Sequence, residues 1–309
     1  MINRGRMRPR WHWLVALILL VGIPHSSFAD SKSKSRIRIG VMKTVFPGMS
    51  STLVRVVTRP LLVLLKSQTG LYGEVQLVDS PEQMAKLLKE KTIQLGVFHG
   101  FELGWAQQSN ANLKPMLIAI RKHEHLRACL VVHKESQARN SVDLKGKILA
   151  IPRRSRAHCP LYLERRCVSE ATDPKDFFSN VAHPILPDET LYLLAQKKVD
   201  AVVVDKEDLE KYQQEQPKIS ASLRVLQESE IFPAGVLAYD QSKLSPETAT
   251  RIQRGMMKAG QTAKSKNLLR ICRITSFKAI PSDYVKLLNN IVKLYPPHVA
   301  TVPSVRKDK

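Results

Sequence analysis

The chain has 309 residues, of which 43% are hydrophobic and 25% charged. That composition excludes wholesale disorder, and at about 150 residues per domain the length predicts two domains with cores of their own. Charge is the outlier: 49 Lys and Arg against 27 Asp and Glu give a net charge of +22, a field that draws anions, anionic membranes or nucleic acid without choosing among them.

Residues 1–29 read as a signal peptide. Arg4, Arg6, Arg8 and Arg10 precede the apolar run Leu14–Val21, and Ser27-Phe28-Ala29 supplies a small-residue cleavage site. The run is shorter than the ~20 residues of a membrane span. Cleavage after Ala29 removes arginines and no acid, so the basic excess belongs to the exported protein. The alternative is an uncleaved anchor.

The first strand spans 36–41, and Pro47-Gly48 turns the chain into a helix capped by Ser50 or Ser51 and running to about Ser67. Its apolar positions Leu53, Val56, Val57, Leu61, Leu64 and Leu65 have helical spacing, and Pro60 is expected to bend or divide it. A strand at 75–78 leads to a helix opened by Ser80-Pro81-Glu82. Strands at 93–98, 113–120 and 128–133 follow, with a short helix over 101–108. The rhythm restarts after the polar turn 141–147, with strands at 148–151, 181–185, 199–204 and 223–226. Helices there are expected at 158–167, 173–178, 188–196 and 206–212. A last segment holds a strand at 236–239 and helices near 246–258 and 281–293. This βαβα alternation predicts α/β lobes with sheets flanked by helices.

The expected organisation is lobe one over 36–127 plus 236–300 and lobe two over 132–231. Hinge strands at 128–131 and 232–235 join them, and 301–309 form a disordered tail. Export permits disulfides among Cys129, Cys159, Cys167 and Cys272. On one straight helix, Cys159 and Cys167 lie about 12 Å apart, beyond disulfide reach.

Several stretches together resemble a known group. Ser141-Val-Asp-Leu-Lys-Gly-Lys-Ile-Leu-Ala150 is similar to the S-hydrophobic-D-L-K-G-K segment of periplasmic phosphate, phosphite and phosphonate solute-binding proteins of ABC importers. Ile39-Gly40-Val41 with Arg59-Pro60-Leu61, Leu95–Phe98 with Ala106, Val199-Asp200-Ala201 and Ile231–Ala234 agree with it in order and spacing. The resemblance implies a type II periplasmic-binding-protein fold, a Venus flytrap that closes on a small oxyanion. It also implies a permease partner in the inner membrane. Relatives carry a hydroxyl-rich turn similar to S-T-S-G after the first strand of lobe two. Here Pro152-Arg153-Arg154-Ser155-Arg156-Ala157-His158 stands in its place, and Ser155 alone keeps a hydroxyl.

Candidate ligand-binding residues follow from this. Ser155 is placed at a helix start, where free N–H groups favour an anion, with Ala157 beside it. Arg153, Arg154 and Arg156 bring guanidinium forks, and His158 a further donor. In lobe one, Thr44 and Phe46 follow the first strand and His99 begins a helix. Thr190 and Asp205 sit at helix starts in lobe two. Glu102 repels an anion; it is read either as a site for the amine of a zwitterion or as a salt-bridge partner of the arginines. A thiol nucleophile at Cys159 beside His158 lacks a third orienting residue. His123, His125 and His133 do not specify a full metal ligand set. No glycine-rich phosphate loop or aromatic–basic strand pair is present, so no cofactor and no nucleic acid is expected. The reading is a monomeric receptor for a small oxyanion or zwitterion. A sensory or protein-interaction module of the same fold is the alternative.

Overall fold

The computed structural model describes residues 36–167 and 173–297. The signal peptide, its cleavage site and the 301–309 tail lie outside the described residues. The first stretch alternates strands β1 (Arg36–Met42), β2 (Tyr72–Val78), β3 (Leu95–Phe98) and β4 (Leu113–Ile120) with helices α1 (Ser51–Thr69), α2 (Pro81–Lys89) and α3 (Gly100–Ser109). The middle stretch contains β5 (His125–Leu126), β6 (Ala128–His133), β7 (Ile148–Ala150), β8 (Asn180–Ala182), β9 (Ala201–Asp205), β10 (Leu223–Glu228) and β11 (Phe232–Pro233). Its helices are α4 (His158–Tyr162), continued by a π turn over Leu163–Cys167, then α5 (Pro174–Phe177), α6 (Pro187–Ala195), α7 (Lys206–Glu215) and α8 (Pro217–Ser220). The last stretch adds β12 (Val236–Asp240), α9 (Pro246–Lys258), α10 (Ala263–Ile271), β13 (Ser276–Lys278) and α11 (Tyr284–Leu294).

Two mixed sheets result. One has the order β13-β4-β12-β3-β1-β2, the other β10-β6-β9-β7-β8. The first therefore closes only when the C-terminal segment returns, because β12 inserts between β3 and β4. Each sheet has an apolar cluster on both faces: Met42, Met84, Phe98 and Leu288 on one side of the first and Leu64, Leu117 and Ile252 on the other. In the second, Leu130, Leu149 and Tyr162 oppose Val131, Val202 and Leu209. Burial on both faces is why these strands read as near-continuous apolar runs.

One of the two expected hinge strands differs, while the other, 232–235, contains the crossing strand β11. Ala128–Val131 was expected to cross between lobes, yet it lies inside the second sheet, paired with β9 and β10. The crossing pair is β5 with β11, Phe232 opposite Leu126 and Pro233 opposite His125. The run 128–133 is apolar because it is a central strand, not because it spans a gap. Helix α1 is also unbroken at Pro60. Pro60 deprives the Val56 carbonyl of its helical donor, and Val56 is 62% exposed, on the side of the helix that water reaches. Ser50 and Ser80 cap α1 and α2 as expected, each accepting from the N–H three residues on. Helix α10 and strand β13 were not anticipated.

Candidate functional site

The carboxyl ends of β7 and β9 lie on the edge of the second sheet where β6 begins, Asp205 opposite Ala128. The carboxyl end of β3 lies on the edge of the first sheet where β12 begins, Phe98 opposite Val236. Both edges therefore flank the β5–β11 ribbon, and the loops leaving them occupy the position at which open α/β sheets bind ligands.

Lobe one contributes a closed set of hydrogen bonds. Glu102, 2% exposed, folds back onto the start of α3. One carboxylate oxygen accepts from the His99 backbone N–H at 2.9 Å and the other from Thr44 Oγ1 at 2.5 Å. His99 Nε2 lies 3.1 Å from the Thr44 carbonyl, and its ring stacks on Phe101 at 5.7 Å. The carboxylate thus sits where an incoming anion would find the helix start. Of the two roles expected for Glu102, the salt bridge to an arginine is not formed. Gly100 opens α3 against the ribbon; a Cβ there would lie 2.5 Å from the Pro233 carbonyl oxygen, so no larger residue fits this close approach. Phe46 is turned into the first-lobe core and lines a cavity of about 380 Å³ with Lys43, Met49, Val54 and Leu77.

Lobe two contributes a buried ion cluster. Arg156 reaches Asp205 at 3.2 Å and Glu207 at 2.6 Å. Asp205 caps α7, accepting from the Glu207 N–H at 2.7 Å. Arg121, at the exit from β4, approaches Glu207 and Asp208 at 3.6 Å each. The Glu207 carboxylate also accepts from the backbone N–H groups of Lys122 and His123. Burial raises the pKa values of Asp205 and Asp208, and Arg156 and Arg121 oppose that rise. His158, 1% exposed, places Nε2 3.4 Å from Asp205 and 3.6 Å from Cys159 Sγ. Burial first, then the positive Arg156, lowers its pKa to about 3, so the ring is neutral. Burial pushes the Cys159 thiol well above its usual range. One His158 nitrogen faces both neighbours, so the pair lacks the relay geometry of a nucleophile and its base. All four cysteines are free thiols.

Two expectations are corrected here. Ser155 does not cap a helix: α4 starts at His158 after Ala157, while Ser155 Oγ donates to the Pro152 carbonyl at 2.8 Å inside a turn. Thr190 is fully buried and donates to the Leu186 carbonyl at 2.8 Å, so its hydroxyl is directed along its own helix. Arg153 and Arg154 are different. Both are exposed, and neither side chain has a partner among the described residues. The turn is pinned by its backbone, with the Arg153 N–H donating to the Pro184 carbonyl at 2.8 Å. Glu207 and Arg121 were missed by sequence reasoning. The signal was present in Asp205-Lys206-Glu207-Asp208, an acidic run directly after a buried strand.

The lobes also meet through apolar and polar contacts. Phe232 of β11 packs on Phe101 at 5.9 Å, His158 at 5.4 Å and Tyr295 at 4.8 Å, and Leu126 and Leu161 complete the cluster. Tyr295 donates to Glu230 at 2.5 Å, Arg166 binds the same carboxylate at 2.7 Å, and Trp105 donates to the Tyr295 carbonyl at 2.9 Å.

Residues 44–284 match the family described as ABC transporter, phosphonate, periplasmic substrate-binding protein. The chain belongs to this family. A phosphonate-transporter binding protein of Pseudomonas aeruginosa is similar at 17% identity and TM-score 0.56, over 84% of this chain and 85% of that one. A Xanthomonas citri protein bound to ATP is similar at 16% identity and TM-score 0.61, over 84% of this chain and 97% of that one. The Prochlorococcus marinus protein PhnD1, in complex with methylphosphonate, gives 14% identity and TM-score 0.57 with the same coverages. At these identities the structures establish the type II periplasmic-binding-protein fold. No curated protein matches the sequence. The family is one of solute receptors in the periplasm. Among the described residues no helix is long and apolar enough to cross a membrane.

Proposed function

We propose that this chain is the monomeric, exported receptor of an ABC importer, and that it captures a small oxyanion through the Arg153–Arg154 turn. The observation that carries this reading is the contrast within one turn. Arg156 is consumed by Asp205 and Glu207, whereas Arg153 and Arg154 are exposed at the carboxyl end of β7 and unpaired among the described residues. Guanidinium forks suit phosphonate, phosphate or sulfate oxygens. Glu102 keeps the α3 start negative, which favours a ligand that also carries a cationic or donor group, as an aminophosphonate does. The mechanism is capture: the ligand binds the closed arrangement better than the open one, and no bond is made or broken. Titration calorimetry of the exported protein with phosphate, methylphosphonate, sulfate and 2-aminoethylphosphonate tests the reading. Saturable heat with at least one of them is expected; silence with all four overturns it.

The second reading is a sensory or interaction module of the same fold. It is favoured by the interlobe contacts of Phe232 and Tyr295, an apolar cluster and a hydrogen bond to Glu230 that tie the lobes through protein groups. A protein that binds no oxyanion and keeps the same scattering envelope with every solute would fit that reading.

A further inference from the structure

We infer that the outer face of the first lobe, built from α1, α9 and α10, is a docking surface for an anionic phospholipid bilayer. Helices α9 and α10 both pack on α1. Gly255 of α9 abuts Gln68 and Thr69, where a Cβ would lie 2.6 Å from the Thr69 methyl group. Beyond the end of α10, Cys272 Sγ donates to the Val57 carbonyl at 3.5 Å. Across 51–69 and 243–273 the sequence holds eleven Lys and Arg and a single acid, Glu247. Arg55, Arg59, Arg251, Arg254, Lys258 and Arg270 are all exposed, with no ionic partner among the described residues. Three of them line an open groove of about 620 Å³ beside Gln68.

Charge alone would suit any polyanion, but the face is also apolar. Val56 and Ile271 are 62% and 63% exposed, and Leu53, Val63 and Met257 are each 44% exposed. On α1, Val56, Arg59, Val63 and Lys66 follow at i, i+3, i+7 and i+10, so one stripe alternates apolar and cationic side chains. That pairing matches a lipid surface, where cations meet headgroup phosphates while short apolar side chains enter the acyl boundary. A duplex nucleic acid offers no apolar phase for Val56 or Ile271. An acidic protein would need complementary pockets, whereas these side chains stand up from the helices.

The test is flotation of the protein, purified from the periplasm, with vesicles of phosphatidylcholine alone or containing one-third phosphatidylglycerol. Binding is expected only to the anionic vesicles, weakening as salt rises. Reversing Arg55→Glu with Arg59→Glu, or Arg254→Glu with Lys258→Glu, is expected to weaken it by about tenfold or more. Val56→Ser with Ile271→Ser should weaken it at unchanged charge. Lys145→Glu with Lys147→Glu, the same charge change on the other lobe, should leave it intact. Circular dichroism of each variant separates lost binding from lost folding. Equal binding to both vesicle types, equal loss in the Lys145/Lys147 control, or no binding of the folded wild-type protein to either vesicle type would overturn the inference.

Discussion

The basic residues that meet acids near the interlobe ribbon and those on the α1–α9–α10 face come from one chain and are used in opposite ways, while Arg153 and Arg154 of the β7 turn side with the second group. Arg121, Arg127, Arg156 and Lys206 each meet a carboxylate within 4 Å, and the deepest of these acids, Asp205, is 2% exposed. Arg55, Arg59, Arg251 and Arg254 meet none among the described residues. Paired charges hold a shape; unpaired charges on a surface hold a potential. A net charge of +22 therefore says little about where an anion binds, because part of the positive charge, at Arg121, Arg127 and Arg156, is already neutralised by buried or half-buried acids.

That difference can be broken most severely at Arg156. Removing one partner of a buried pair strands the other, so Arg156→Ala should cost about 3 kcal/mol or more, read by chemical denaturation. Adding Glu207→Gln should recover part of the loss. An unchanged unfolding midpoint in Arg156→Ala would place this arginine with the unpaired group.

His158 sharpens the contrast through pH. Its pKa is depressed from 6.5 to about 3 by burial, so between those values the unfolded chain binds a proton that the folded chain refuses. Its contribution is present above pH 6.5 and is lost as pH falls toward 3. Asp205, raised by burial, acts in the opposite sense at its own titration. His158→Asn should flatten the acid limb of a stability–pH profile; an unaltered limb would mean that the histidine is not buried neutral.

A smaller effect is expected at the interlobe strap. Tyr295→Phe removes one hydrogen bond to the charged Glu230, and a loss of about 1.5 kcal/mol is the prediction for its thermal or denaturant midpoint. The smallest is on the outer face, where Arg251→Ala should move stability by no more than about 0.5 kcal/mol. A larger loss there would reveal a partner for that arginine.

Much of the fold was legible because each buried strand and capped helix carries a local signature. Ser50 and Ser80 announce their helices, and the apolar runs at 113–120 and 199–204 announce central strands. The return crossing at 232–235 is legible, but the first one lies at His125–Leu126 and not at 128–131, because a two-residue strand has too few residues for a period and the apolar strand beside it outshines it. Within the site, Arg156 and Arg153 look alike in sequence. Their difference depends on Asp205 and Glu207, which lie some fifty residues away and are brought close only when β9 pairs with β7. Helix α10 escaped notice because Thr262, Lys264, Ser265 and Lys266 leave its first turn with little apolar stripe.

The central claim is that the unpaired arginines of the β7 turn, not the paired one, take the ligand. Calorimetric titration of methylphosphonate, or whichever tested oxyanion binds best, into wild type and the Arg153→Ala/Arg154→Ala variant addresses it directly. Each charged hydrogen bond lost corresponds to about 1.5–3 kcal/mol, so affinity should fall by about tenfold or more while the melting temperature holds. Equal affinity in the two proteins would contradict the claim.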